Sequence, residues 1–90
     1  MKHNKKVFNK LVHFIENNLD VEKYHPSKNA FHFFCYDDKT HDIVIYIHMY
    51  RIDDGIFMCI DNHQSEIKFD EYLTNFNQIK KAKTLIKSMR

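Results

Sequence analysis

The stretch 31–61, FHFFCYDDKTHDIVIYIHMYRIDDGIFMCID, decides the fold, because it holds three alternating segments separated by polar turns. Segments 31–36, 43–50 and 56–61 have the length and the β-branched and aromatic content of strands. Successive strand side chains point to opposite faces, so each segment contributes two sets of residues. One set is wholly apolar: Phe31, Phe33, Cys35, Ile43, Ile45, Ile47, Met49, Ile56, Met58 and Ile60. The other is aromatic and polar: His32, Phe34, Tyr36, Val44, Tyr46, His48, Tyr50, Phe57, Cys59 and Asp61.

Helices are predicted on both sides of these strands. Residues 4–19 place apolar side chains at helical spacing, and residues 70–89 repeat this pattern with Asp70 as the expected N-cap. Between them, 21–29 reads as a connection containing the only proline, and 66–69 as a short fourth strand. The sequence therefore predicts an α+β fold of order α-β-β-β-(β)-α, with three or four antiparallel strands and both helices on the apolar face. One helix on each face is the alternative.

The register of the second hairpin is predicted from Asp54-Gly55, since a two-residue turn needs positive φ and this dipeptide supplies it. Pairing Asp53 with Ile56 places Tyr50 opposite Cys59 and His48 opposite Asp61. If Tyr36 pairs with Val44 in the first hairpin, His32 falls opposite His48.

Composition indicates one domain, 1–90, with a high aromatic content of eight Phe and five Tyr. Neither a secretory signal nor an apolar run long enough for a membrane is expected. The two cysteines fall on opposite faces, so we expect two free thiols and a cytoplasmic protein. Lys, Asn and Ile are over-represented, as in AT-rich bacterial, phage or plasmid genomes.

The charges are unevenly distributed although the net charge is only +2. Residues 1–10 carry four lysines and no acid, and residues 80–90 carry four lysines, one arginine and no acid. Basic ends around an acidic middle are typical of contact with nucleic acid or an acidic partner, or simply of two solvated helix ends.

The aromatic face and the basic helix ends are the candidate binding surface. Exposed aromatics are enriched at protein interfaces, and they also stack on bases where lysines neutralise phosphates. We expect a protein partner, with a homodimer or nucleic acid as alternatives and no membrane. The candidate partner-binding residues are Phe34, Tyr36, Tyr46, His48, Tyr50, Phe57, Lys80, Lys81 and Lys87.

A row of His32, His48 and Asp61 is the one candidate for metal binding, since two imidazoles and a carboxylate are ligands of zinc and non-haem iron. No HxxxH, HxH or CxxC spacing supports it, and a His–Asp pair that satisfies polar groups is the simpler interpretation. One glycine cannot build a nucleotide-binding loop. We therefore assign no catalytic residue and no cofactor.

The order α-β-β-β-α resembles the double-stranded-RNA-binding fold and the HicA-type ribonuclease toxins that share it. Lys80-Lys81-Ala82-Lys83 resembles the Lys-Lys-x-Ala-Lys stretch of the former, one residue short and in mid-helix. Ala30-Phe31-His32 retains only the histidine of the HicA-type Gly-Ser-His segment. The resemblance is confined to element order, which does not imply function.

These observations favour a small binding protein rather than an enzyme. Its size and type suit a phage or mobile-element inhibitor or regulator of a host protein. An RNA or single-stranded nucleic-acid binding module is the second hypothesis, and a His-based or metal-dependent hydrolase or ribonuclease is the third.

Overall fold

A computed structural model describes residues 3–90, so Lys2 of the basic amino-terminal stretch lies outside the described residues. The predicted α+β fold is confirmed, with five strands where three or four were expected. The elements are α1 (Asn4–Asn18), β1 (Glu22–Ser27), β2 (Ala30–Tyr36), β3 (Ile43–Ile52), β4 (Gly55–Asn62), β5 (Ile67–Leu73) and α2 (Phe76–Ser88). The two added strands mean that the resemblance in element order to the double-stranded-RNA-binding fold does not hold.

The strands form one antiparallel sheet in the order β1-β2-β3-β4-β5, so each strand pairs with its neighbours in sequence. Both helices pack on the same face, which we call the inner face, as expected. Phe8 and Ile15 of α1, Ile79 and Ile86 of α2, and Ile47 of β3 all belong to one buried apolar cluster. An apolar sheet face beneath two amphipathic helices is an arrangement that buries the apolar side chains of both. Ile43, predicted for this face, is 42% exposed, since it is the first residue of β3 and a shift in register after Cys35 pairs it with Tyr36.

Helix α2 begins later than predicted. Residues 70–73 belong to β5. The N-cap of α2 is Asn75, whose side-chain oxygen accepts a hydrogen bond from the backbone N–H of Gln78 at 3.0 Å. Asp70 is therefore a strand residue and not an N-cap. Leu73, expected on the helix, is a fully buried strand residue.

The hairpin between β3 and β4 differs from its predicted register by two residues. Ile52 pairs with Gly55, so the two-residue turn is Asp53-Asp54, and Asp53 provides the positive φ of 53°. Gly55 has no positive φ; instead, a Cβ at this position would lie 2.5 Å from Cζ of Tyr72. The glycine is needed for its small size rather than for turn geometry. A shift of two residues preserves which face each side chain occupies.

Strand β1 is an edge strand that the sequence did not predict. All six of its residues are exposed, so it has no apolar alternation, and it contains Pro26, which lacks a backbone N–H. Its register with β2 is interrupted between Tyr24 and Ser27.

Two further sequence expectations concern cysteines and membranes. Cys35 is buried and Cys59 partly buried, and both are free thiols, as predicted. Within residues 3–90, neither helix has the length and the apolar character needed to traverse a bilayer.

Candidate partner-binding face

The sheet face opposite the helices carries the aromatic and imidazole side chains. We call it the open face, because no helix of residues 3–90 packs on it. The β-pairing places Tyr24 of β1 beside His32 of β2, and His32 beside His48 of β3. Its aromatic and imidazole side chains are Tyr24, His32, Phe34, Tyr36, Tyr46, His48, Tyr50, Phe57 and Tyr72.

Six of the predicted binding residues lie together on this face. Tyr36 is 41% exposed at the end of β2, and the other five are partly buried by one another. These six are Phe34, Tyr36, Tyr46, His48, Tyr50 and Phe57.

The predicted lysines do not belong to the same surface. Lys80, Lys81 and Lys87 are exposed on α2, and the buried side of this helix packs on the inner face of the sheet. Lys81 lies 3.6 Å from Glu71, which pairs with inner-face Met58. The sheet therefore separates these lysines from the open face, as the predicted placement of both helices on the apolar face implies, and the candidate partner-binding residues lie on two sides of the molecule.

The hydroxyl of Tyr46 lies at the centre of the open face, where it contacts two imidazoles. It is 2.6 Å from Nδ1 of His32 and 3.1 Å from Nδ1 of His48. A single hydroxyl donates only one hydrogen, so when both rings are neutral one Nδ1 accepts and the other Nδ1–H donates. The two histidines then have opposite tautomers. The hydroxyl of Tyr50 lies 3.5 Å from Nε2 of His32 and extends the chain of polar contacts.

Partial burial changes the proton affinity of this group of side chains. Burial and then the neighbouring His32 lower the pKa of His48, whereas the charge of Asp70 acts in the opposite direction. Burial, followed by Tyr50 and Cys59, raises the pKa of the Tyr46 hydroxyl. At neutral pH the centre of the face therefore presents a neutral His48 and a protonated Tyr46.

Ring contacts run without interruption along β3 and onto β2. Ring centroids are 5.0 Å apart for Phe34 and Tyr46, 5.1 Å for Tyr46 and His48, and 5.3 Å for His48 and Tyr50. His32 meets His48 edge-on at 5.5 Å. Aromatic pairs at such distances contribute stabilising contacts. The rings of this face therefore form one connected cluster.

The predicted row of His32, His48 and Asp61 is only partly assembled. His32 pairs with His48 as expected, but His48 pairs with Cys59, and Asp61 pairs with Tyr46. Because the observed register differs from the predicted one by two residues, the carboxylate of Asp61 does not lie opposite His48. Among residues 3–90, no group of three or more histidines, cysteines or acids is arranged to hold a metal ion.

Cys59 is a hydrogen-bond donor on this face. Its thiol donates to Oδ1 of Asp70 at 3.0 Å. Burial, that hydrogen bond and the charge of Asp70 raise the pKa of Cys59 to about 12. A nucleophilic cysteine requires the opposite shift, so proximity to His48 does not make this thiol an activated nucleophile.

Sequence reasoning missed two tyrosines of the open face. Tyr24 was assigned to a connection and Tyr72 to the second helix, but they are 61% and 39% exposed on the edge strands β1 and β5. A residue that precedes a proline favours extended backbone, and this feature of the sequence at Pro26 indicates strand β1. Apolar residues at alternating positions, Ile67, Phe69 and Leu73, indicate strand β5.

Comparisons with protein-family models, with curated proteins and with solved structures each gave no match for this chain.

Proposed function

We propose that this protein binds another protein through the open face and has no catalytic role of its own. The observation that carries the proposal is that both helices cover the inner face, and that no helix of residues 3–90 packs on the continuous layer of tyrosine, phenylalanine and histidine. Tyrosine supplies a large contact area at a small loss of conformational freedom, which favours its use in protein interfaces. Its size and type suit an inhibitor or regulator of a host protein encoded by a phage or mobile element.

The size of the face indicates how a partner would use it. Five strands are separated by four spacings of about 4.8 Å, and a length of seven residues at about 3.3 Å each gives a flat outline of roughly 440 Å². A standard protein complex buries about 800 Å² of accessible surface on each partner. A partner of standard size would therefore cover the whole open face and reach the turns and edges around it.

Nucleic acid is the less well supported alternative, because the lysines of α2 lie on the other side of the sheet. The metal-dependent form of the hydrolase alternative was based on a row of His32, His48 and Asp61, but Asp61 pairs with Tyr46 and not with His48. Neither alternative has an observation on the open face that favours it over protein binding.

The test starts with a pull-down from extracts of the native host, with and without nuclease, followed by reconstitution of the complex from purified components. We expect a 1:1 or 2:2 complex that survives nuclease and moderate salt. Tyr24→Ala and Tyr36→Ala should each lower its affinity by about tenfold or more, because exposed interface tyrosines are frequent hot spots.

Phe76→Ala is the matched control. Phe76 is 67% exposed on α2, so its removal deletes an exposed ring from the helical side and should leave affinity unchanged. Equal affinity of the Tyr24 and Tyr36 variants and the wild type would refute the proposal. If every specific partner is lost after nuclease, and Tyr46→Ala or Tyr50→Ala weakens oligonucleotide binding by about 1–3 kcal/mol, the nucleic-acid alternative replaces it.

A further inference from the structure

Carboxylates lie around the aromatic centre of the open face. At one corner, a cleft of about 150 Å³ is lined by Asp20, Glu22 and Asp38 together with Phe34 and Tyr36. In the sheet register, Glu22 lies directly beside Phe34. This corner therefore combines two ring surfaces with three acids and no basic side chain in its lining.

A second cleft, of about 250 Å³, lies between β3 and β5 on the same face. Asp61, Asp70 and Lys68 line it beside Tyr46 and His48. Its charged side chains therefore give it a net charge of −1, because Lys68 offsets one of the two carboxylates.

The third acidic position is the turn between β3 and β4. The Tyr72 hydroxyl donates to the carbonyl of Ile52 at 2.9 Å. Loss of hydration, followed by the charges of Asp54 and Asp53, raises the pKa of that hydroxyl. Both turn acids are thus close enough to influence an open-face tyrosine. The carboxylates of the two clefts and of this turn together form what we call the acidic border: Asp20, Glu22, Asp38, Asp53, Asp54, Asp61 and Asp70.

The basic side chains of the helices lie on the other layer. Lys80, Lys81 and Lys87 of α2, and Lys5 and Lys6 of α1, are exposed on elements that pack on the inner face. The net charge of +2 is thus the sum over an acidic, aromatic side and a basic, helical side of the molecule.

We propose that the occupant of the open face is a basic protein surface rich in arginine. This inference rests on the proposed function and specifies the chemistry of its partner. A guanidinium group stacks on aromatic rings and also pairs with carboxylates through two parallel hydrogen bonds. The open face offers both groups side by side at Phe34 with Glu22, and at Tyr46 with Asp61. A partner of standard interface size would extend beyond the aromatic residues and contact the carboxylates of the acidic border.

Charge also argues against the two other occupants. The phosphates of a nucleic acid would be repelled by the acids in both clefts. Two copies stacked face to face would bring the acidic borders together, which is destabilising. A basic protein surface is the occupant with complementary charge.

The experiment is an NMR titration of the ¹⁵N-labelled full chain with three probes of twelve units. The probes are a peptide of alternating arginine and serine, its glutamate–serine counterpart, and a uridine oligonucleotide. We expect the arginine peptide to shift the amide signals of Glu22, Phe34, Asp61 and Asp70, and the other two probes to leave them unchanged. Asp61→Asn with Asp70→Asn should lower the affinity for the arginine peptide about threefold or more, because paired exposed charges contribute modestly.

Glu71→Gln is the matched control, since Glu71 is in the same strand but on the inner-face side near Lys81. This variant should bind the arginine peptide like the wild type. The inference is overturned if the arginine peptide does not shift the open-face signals, or if the glutamate peptide or the RNA does. It is also overturned if sedimentation analysis shows that the free chain is a dimer and the dimer forms through this face. A natural protein partner that depends on Tyr24 and Tyr36 but not on Asp61 and Asp70 would also overturn it and leave the proposed function standing.

Discussion

At the scale of single residues, Cys59 and Asp70 give a direct chemical test of the open face. The raised pKa of Cys59, about 12, keeps the thiol protonated at pH 8. We expect iodoacetamide to alkylate Cys59 about 100-fold or more slowly than a cysteine in a short peptide, because the thiolate is the reacting form. Asp70→Asn should accelerate the reaction, since it removes the carboxylate that disfavours the thiolate.

Peptide mass spectrometry distinguishes Cys59 from the buried Cys35. Asp61→Asn is the control, because Asp61 lies on the same face but the thiol donates to Asp70. Equal rates for the wild type and Asp70→Asn would show that the Cys59–Asp70 hydrogen bond does not form.

His48 is expected to make stability depend on pH. Burial and then His32 lower the pKa of His48 in the folded chain from the ordinary 6.5, whereas the charge of Asp70 raises it. The other side chains beside the His48 ring are Tyr46, Tyr50 and Cys59. As pH falls below about 6.5, the unfolded chain binds a proton at this residue before the folded chain does, so the free energy of unfolding decreases.

Urea unfolding at pH 7.5, 6.5 and 5.5 should therefore show a smaller decrease for His48→Gln than for the wild type. His13→Gln is the control, since His13 has a side chain that is 76% exposed on α1. The expectation fails if His48→Gln and the wild type lose stability equally on acidification.

At the scale of elements, the β3–β4 hairpin is shaped by Gly55 and Tyr72. Gly55→Ala should lower the free energy of unfolding by about 1 kcal/mol, because the new Cβ displaces the Tyr72 ring and its hydroxyl loses the hydrogen bond to Ile52. In a Tyr72→Ala background the same change should be neutral or stabilising, because the backbone of Gly55 has no positive φ and alanine restricts the unfolded chain. A double-mutant cycle by urea denaturation measures this coupling, and additive effects would contradict it.

The same hairpin explains what the sequence could and could not predict. Alternation in β2, β3 and β4 was sufficient to assign six binding residues to one face, since a shift of two residues does not change the face. The register itself was not predictable, because Gly55 avoids a ring from β5, a contact between residues distant in sequence. Likewise, residues 70–73 have a helix-compatible composition, and pairing with β4 is what makes them a strand.

At the scale of the whole molecule, all elements except β1 contribute to a single apolar cluster. Neither layer can bury its apolar side chains without the other, so we expect one cooperative unfolding transition. Circular dichroism of the helices and fluorescence of the open-face tyrosines should give the same urea midpoint. Ile47→Ala, at a fully buried position, should lower the free energy of unfolding by about 2–5 kcal/mol in both signals. Two separate midpoints would disprove this cooperativity.

The separation of charge between the layers follows from a feature that the sequence did predict, the placement of both helices on the apolar face. The lysines of residues 80–90 belong to one of these helices, so they lie on the side of the sheet away from the aromatic residues. The arrangement of the acids around the open face could not be predicted, because the positions of Glu22 and Asp61 depend on strand β1 and on the β3–β4 register.

Pro26 in the edge strand β1 has a consequence for behaviour at high concentration. An unprotected sheet edge invites strands of other copies to add on and grow into fibrils. Proline has no amide hydrogen to offer such an incoming strand, so residue 26 cannot donate to it. Replacing this proline would restore the missing donor in β1.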